Sequence, residues 1–239
     1  MALILNLETA TTVCSVSLGK DGKLLALKEQ NGDYSHAENL TLFIEDVLKQ
    51  ANVKFSELDA IAVSKGPGSY TGLRIGVSTA KGLCYSLNIP LIAIDTLKSL
   101  AVGIKNSDLK IRNSDLLCPM LDARRMEVYC ALFDNSLNYV RETSAEIIDE
   151  SSFQSLFCPD GKTKEGNSVF FFGDGAAKCK TAMSQNENAI FIENIFPSAK
   201  NMIALSENAF TNNQFEDVAY FEPFYLKDFV AGKKKAISP

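Results

Sequence analysis

Two hydrophobic rhythms alternate along the first hundred residues, and each change of rhythm marks an element. Leu3 to Leu7 is a short apolar run. Val13 to Leu18 sets Val13, Ser15 and Ser17 against Cys14, Val16 and Leu18, and Lys23 to Leu27 follows a Lys20-Asp21-Gly22 turn. A period of two between turn residues is the signature of strands, so the opening predicts a β-meander. The rhythm then lengthens. Ser35-His36-Ala37-Glu38 has the S-x-x-E spacing of a capping box, in which a hydroxyl and a carboxylate each satisfy a free amide of a first helical turn. Beyond it Leu40, Phe43, Ile44, Val47, Leu48 and Ala51 recur at helical spacing, with Glu45, Asp46, Lys49 and Gln50 on the other side. That spacing predicts an amphipathic helix of about four turns.

Asp59 to Ser64 then reads as a buried strand. Tyr70 to Leu87 reads as a second helix stopped by Asn88-Ile89-Pro90, Leu91 to Asp95 as a strand, and Thr96 to Ile104 as a short helix. The order β-β-β-α-β-α-β-α places helices against a mixed sheet, an α/β lobe over residues 1–106. Polar residues 106–114 separate it from a second lobe, 107–231. There Leu116 to Leu121, Glu127 to Phe133 and Val169 to Phe172 read as strands, and Ala176 to Gln185 and Ala199 to Phe210 as helices. Cys158 to Ser168, with Pro159, Gly161 and Gly166, reads as an exposed loop, and residues 232–239, with Lys233, Lys234 and Lys235, as a disordered basic tail.

Composition narrows the possibilities. At 239 residues the chain is long enough for one large core or two small ones. Its six cysteines lie singly in apolar surroundings with no C-x-x-C pair, which predicts buried free thiols of a reducing compartment and neither a disulfide framework nor a zinc site. No apolar stretch approaches the roughly 18 residues a spanning helix needs, and the start lacks a basic leader. A cytoplasmic protein without membrane contact is therefore expected. The formal net charge of −5 repels a phosphate backbone, so any nucleic acid would be held by another subunit.

The most unusual stretch is Lys65-Gly66-Pro67-Gly68-Ser69-Tyr70-Thr71-Gly72-Leu73-Arg74-Ile75-Gly76. In one reading it is an anion cradle, exposed amides at a helix start assisted by Lys65 and Arg74. It is neither a Walker loop nor G-x-G-x-x-G. In the other reading the glycines serve close packing. Gly72, Gly76, Ala80 and Cys84 recur every fourth residue and make a groove of small side chains, with Gly82 nearby. Each mid-helix glycine costs about 0.8–1 kcal/mol relative to alanine, so something must sit flush against the groove. That element is either part of the same lobe or a helix of a second protein, and periodicity does not say which. The Leu40, Phe43, Val47 stripe carries the same two readings.

These residues resemble the TsaB (YeaZ) family of bacterial tRNA threonylcarbamoyladenosine biosynthesis. The resemblance lies in Asn6-Leu7-Glu8-Thr9-Ala10-Thr11, in Ser35-His36-Ala37-Glu38-Asn39-Leu40, and in Lys65 to Gly76 followed by Ala80-Lys81-Gly82-Leu83. It continues more weakly in Asp122-Ala123-Arg124-Arg125-Met126-Glu127-Val128-Tyr129, in Gly173-Asp174-Gly175 and in Pro223-Phe224-Tyr225-Leu226-Lys227. It implies a two-lobed ASKHA (actin-like ATPase, ribonuclease H-like) fold and a partner role beside TsaD, the paralogue that transfers threonylcarbamoyl to adenosine 37 of tRNAs, with the ATPase TsaE joining the pair. It also implies contact through first-lobe helices, with TsaD or with a second copy when alone. Leu40, Phe43, Val47, Tyr70, Gly72, Leu73, Arg74, Gly76 and Ala80 are the expected contact residues.

The resemblance further implies that the chemistry has been lost. The catalytic relative carries a His-x-x-x-His metal motif where this chain has Thr96 and Leu100, neither an adequate replacement for imidazole, and His36 is the sole histidine. No catalytic residue, metal or cofactor is expected. Glu8-Thr9-Ala10-Thr11-Thr12 lacks the glycine of a phosphate turn, which leaves at most weak nucleotide contact from Thr9, Thr11, Lys65 and Ser69. Gly173-Asp174-Gly175 reads as an adenosine-side loop or as a plain turn. The alternatives are a metal-dependent hydrolase or carbamoyl transferase, which needs bound metal, and a small-molecule kinase, which needs tight ATP binding.

Overall fold

The computed structural model describes residues 2–32, 36–107, 109–157, 168–183 and 186–227. Ser35 of the expected capping box, loop residues 158–167 with Cys158, and the tail 232–239 lie outside the described residues.

The meander forms as its alternation requires. β1 (Leu3–Glu8) pairs antiparallel with β2 (Val13–Lys20), and β2 with β3 (Lys23–Asn31). α1 (His36–Ala51) follows, then β4 (Ala60–Gly66) parallel to β1, α2 (Tyr70–Leu87), β5 (Leu91–Asp95) parallel to β4, and α3 (Thr96–Lys105). α2 starts where Ser69 accepts a hydrogen bond from the Gly72 amide, and it stops where Asn88 takes a left-handed backbone (φ 55°) ahead of Pro90. α3 starts on Asp95, whose carboxylate accepts from the Lys98 amide.

The second half repeats the first. β6 (Leu116–Asp122), β7 (Glu127–Phe133) and β8 (Tyr139–Ile147) form an antiparallel meander. One turn of helix, α4 (Gln154–Phe157), leads toward β9 (Val169–Phe172), which is parallel to β6. A second single turn, α5 (Ala176–Cys179), precedes β10 (Ala189–Ile192), parallel to β9. The strand orders β3-β2-β1-β4-β5 and β8-β7-β6-β9-β10 are the same topology written twice. The chain closes with a 3-10 turn (Ala199–Met202) running into α6 (Ile203–Thr211).

Packing crosses between the halves. α1 and α2 cover one face of the first sheet, where Leu40, Phe43, Ile44, Val47, Val77, Ala80 and Cys84 meet Leu5, Leu7, Val16, Leu18, Ile61 and Val63. The other face of that sheet is covered by Ala199, Met202 and Ala209 from the end of the chain. In return, Leu97, Leu100, Ala101 and Ile104 of α3 pack on the second sheet against Leu117, Leu121, Phe133 and Phe172. α3 thus follows the first sheet in sequence and shares a core with the second. Five described cysteines, Cys14, Cys84, Cys118, Cys130 and Cys179, are buried and free.

Two expected elements differ, and two strands were not expected. The helix expected over 176–185 is one regular turn in its described part. The helix expected over 199–210 begins as a 3-10 turn. β8 and β10 are strands that the hydrophobic pattern did not announce, since both lie at sheet edges, where half-exposed positions blur the alternation.

Candidate functional site

The glycine-rich segment is clamped from two sides by its own chain. The Ser69 amide donates to the Ala10 carbonyl (2.7 Å), and a Cβ on Gly68 would overlap that carbonyl. Thr9 donates its hydroxyl to the Gly72 carbonyl (2.8 Å). A Cβ on Gly72 would strike the Thr9 carbonyl, and one on Gly76 the Thr9 hydroxyl. From the far end of the chain, the Phe224 amide donates to the Lys65 carbonyl (2.7 Å). Gly66, at φ +116°, lies against the Phe224 carbonyl, where a Cβ would come to 2.7 Å.

The small-residue groove is therefore filled by the β1–β2 connection. This corrects the expectation that it faces a partner. Gly72, Leu73, Gly76 and Ala80 are buried in the first lobe, and so are Leu40, Phe43 and Val47. Of the expected contact residues only two reach the surface. Arg74 is exposed, its guanidinium 4.5 Å from the Tyr70 ring centre, and Tyr70 is half-buried, its ring 4.9 Å from that of Tyr225.

Opposite the groove, α2 presents Thr71, Arg74, Ser78, Gly82 and Tyr85 to solvent. Their spacing puts them on one stripe. Gly82 differs from its sister glycines, because a Cβ built there meets nothing within 4 Å among the described residues. At the end of the stripe Tyr85 is 86% exposed. Lys81 donates to the Ala219 and Phe221 carbonyls (3.1 and 3.0 Å), which fixes Tyr220, 84% exposed, on an ordered turn closed by Asp217. Tyr85, Tyr220, Ser78 and the special status of Gly82 were not distinguished in the sequence. The signal available was a glycine off the four-residue repeat.

Between the sheets, at the ends of β1, β4 and β6, lies a cleft of about 680 Å³. Its first-lobe wall is Ala10 to Thr12 and Pro67 to Thr71, its second-lobe wall Leu121 to Arg125, Glu127, Tyr129 and Asp174, and residues 224–227 run along it. Thr11 and Ser69 line it, but the hydroxyl oxygens of both already accept local amides, from Val13 and Gly72. Thr9 is fully buried and spent on α2, and Lys65 does not line the cleft, being the cation beside Asp95. Two of the four expected nucleotide contacts are thus withdrawn by packing. Gly173-Asp174-Gly175 hugs the end of β6: the Gly175 amide donates to the Met120 carbonyl and Asp174 accepts from the Asp122 amide (3.1 Å). Burial pushes the Asp174 carboxyl above its ordinary range.

The positions aligned with the relative's histidines are structural. Thr96 is buried and accepts from the Gly66 amide (3.2 Å), while Leu100 sits in the core between the sheets. His36 is buried with Nε2 2.7 Å from the Thr11 carbonyl, pinning α1 to the β1–β2 connection.

Glu8 is the one acid sealed at the end of β1. It accepts from the Ala10 amide (2.6 Å) and the Ser64 hydroxyl (2.9 Å), and its second oxygen has no partner among the described residues. Burial pushes its pKa up to about 7, against those hydrogen bonds. Between pH 4.5 and 7 the folded chain keeps a proton that the unfolded chain releases. Stability therefore falls as pH rises through that window and is flat above it. Glu8→Gln is expected to match the wild type near pH 4.5 and to exceed it above pH 7 by on the order of 3 kcal/mol, as urea titrations at the two pH values would measure.

Two duplicated five-stranded sheets, exchanged covering helices and a cleft at the strand ends define a two-lobed α/β protein of the ASKHA, actin-like ATPase type. The solved structure of YeaZ from Pseudomonas aeruginosa shares this fold, with a TM-score of 0.79 at 24% identity over 95% of this chain and 100% of that one. A family model described as TsaD, tRNA N6-adenosine threonylcarbamoyltransferase, matches residues 31–235. The tRNA threonylcarbamoyladenosine biosynthesis protein TsaB of Escherichia coli is 28% identical over 237 residues, 97% of each chain. TsaB of Buchnera aphidicola subsp. Schizaphis graminum is 30% identical over 214 residues, 87% of this chain and 95% of that one. The chain belongs to this family, on its TsaB branch.

Proposed function

We propose that this chain serves tRNA threonylcarbamoyladenosine biosynthesis as a non-catalytic subunit. It docks on the threonylcarbamoyltransferase TsaD through the outer face of α2, activates it, and works together with TsaE. tRNA meets the assembly and not this chain alone, and in isolation a second copy covers the same face. Its setting is the cytoplasm; among the described residues no helix is long and apolar enough to cross a membrane.

The observation that carries this reading is Gly82. A glycine inside a helix costs about 1 kcal/mol relative to alanine. Gly72 and Gly76 recover that cost by letting α2 lie on Thr9, whereas nothing among the described residues requires Gly82. A bare helix surface at Gly82 and Ser78, flanked by Arg74 and Tyr85, lets a partner helix come close while an arginine and an aromatic ring anchor its ends. Leu42 of α1 is also an exposed apolar side chain, at 56%. The chemistry supports the same division of labour, since Thr96 and Leu100 are committed to packing and Glu8 is sealed from solvent.

Purified chain given threonylcarbamoyl-adenylate and tRNA is expected to transfer nothing, and to restore modification when TsaD and TsaE are added. Transfer by the chain alone, at a rate comparable to the assembly, would overturn the reading.

A further inference from the structure

The duplicated topology leaves the outer faces of the two sheets unequally covered. In the first lobe the crossovers that follow the meander carry α1, 16 residues, and α2, 18 residues, and these close the face. Their second-lobe counterparts carry, in their described parts, only α4 and α5 at four residues each. A groove lies between them. Its outer part, about 700 Å³, is bounded by Met126, Asp149, Glu150, Lys178 and Ala182, and its inner part, about 260 Å³, shares Glu150 and Ala182 and reaches Phe157 and Met183 of the second-lobe core. The apolar character continues past the rim, where Met126 is 38% exposed and Ile147, two residues before Asp149, is 75% exposed.

The rim itself is acidic. Asp149 and Glu150 are exposed, and among the described residues neither forms an ion pair. Hydrogen bonds from Ser151 and Ser152 hold the Asp149 carboxyl below the usual carboxylate range, so it is charged at neutral pH. Lys178 is a cation on the same rim, but its charge is spent on Asp122, and it also donates to the Glu127 carbonyl (2.7 Å). An apolar floor beside two unpaired carboxylates selects a segment that is itself both apolar and cationic.

The sequence holds such a segment. Residues 228–239 begin with Phe229 and Val230, continue to Lys233-Lys234-Lys235 and then carry Ile237. The described chain also ends beside the groove: Lys227 pairs with Glu127, the neighbour of Met126. Twelve residues span at most ~40 Å, ample to cross a groove of this size. We infer that residues 228–239 bind this groove of the same chain, with Phe229 and Val230 over Met126 and Ala182 and the lysines against Asp149 and Glu150. A second copy is the less favoured source of the segment, because a short tether gives the chain's own residues an effective concentration in the millimolar range. Binding there secures the far end of residues 224–227, whose near end holds Lys65 through the Phe224 amide and Tyr70 through the Tyr225 ring.

The test is limited tryptic digestion of the full chain, with cleavage after Lys233, Lys234 and Lys235 followed by mass spectrometry. Asp149→Asn/Glu150→Gln removes both charges and keeps an acceptor for Ser151 and Ser152. It is expected to be cut there at least about fivefold faster than wild type at low salt, because cleavage follows the population of the released segment. Its melting temperature and its cleavage at the exposed Lys20 and Lys23 turn should stay at the wild-type values. An excess of synthetic peptide with the sequence of residues 228–239 is expected to raise the wild-type rate toward that of the variant. Equal cleavage of wild type and variant would overturn the proposal. Protection that grows with chain concentration would overturn the assignment to the same chain and give the groove to a second copy.

Discussion

Gly72→Ala is expected to destabilise the chain by about 3 kcal/mol or more, and Gly76→Ala by a similar amount, whereas Gly82→Ala is expected to stabilise it by about 0.5–1 kcal/mol. The same substitution in the same helix changes sign because the three glycines face different things. At Gly72 the new methyl group would overlap the Thr9 carbonyl, a backbone atom that cannot swing away, and at Gly76 it would displace the Thr9 hydroxyl from its bond to the Gly72 carbonyl. The intrinsic gain of alanine over glycine, about 1 kcal/mol, is outweighed by this overpacking. At Gly82 the methyl group meets nothing within 4 Å among the described residues, so the gain remains. Urea denaturation of the three variants measures all of it. Should Gly72→Ala and Gly82→Ala shift the midpoint alike, the closure of the groove by Thr9 would be wrong. It follows that a charge at Gly76 or Phe43 probes folding and not docking, both positions being buried.

The second large effect belongs to the opposite face. Gly82→Arg is expected to leave the melting temperature of the isolated chain at or above the wild-type value and to weaken the proposed complex with TsaD by about a hundredfold. Arginine is a good helix former and its Cβ would meet nothing within 4 Å among the described residues, so folding has no reason to suffer. A partner helix resting on the bare backbone at Gly82 would be pushed away by a long side chain. Tyr85→Ala is expected to act in the same direction through lost contact area, Tyr85 being almost wholly exposed in the free chain. Self-association of the free chain, followed by sedimentation, should fall with both variants.

The regular elements were legible in the sequence because their rhythms were clean. Tyr70–Leu87, Leu91–Asp95, Glu127–Phe133 and Val169–Phe172 stand where periodicity, caps and Pro90 predicted them. β8 was not legible: Tyr139-Val140-Arg141-Glu142-Thr143 mixes charges with apolar residues on a strand that is half-exposed along its length. The site was less legible than the fold, for a reason intrinsic to helices. A stripe of small residues records that something approaches closely without recording what, and here the β1–β2 connection, some sixty residues earlier, fills it. The wall formed by Phe224 and Tyr225 was equally hidden, because it joins positions about 150 residues apart, Phe224 to Lys65 and Tyr225 to Tyr70. Arg124 and Arg125 were visible as a motif. Their left-handed backbone was not.

A surface, and no chemistry of its own, is what this chain is held to contribute to tRNA modification. The most direct test is threonylcarbamoyl transfer by TsaD and TsaE titrated with wild-type chain or with folded Gly82→Arg. Restoration by the wild type and not by Gly82→Arg is the predicted result; equal restoration by both would contradict the account.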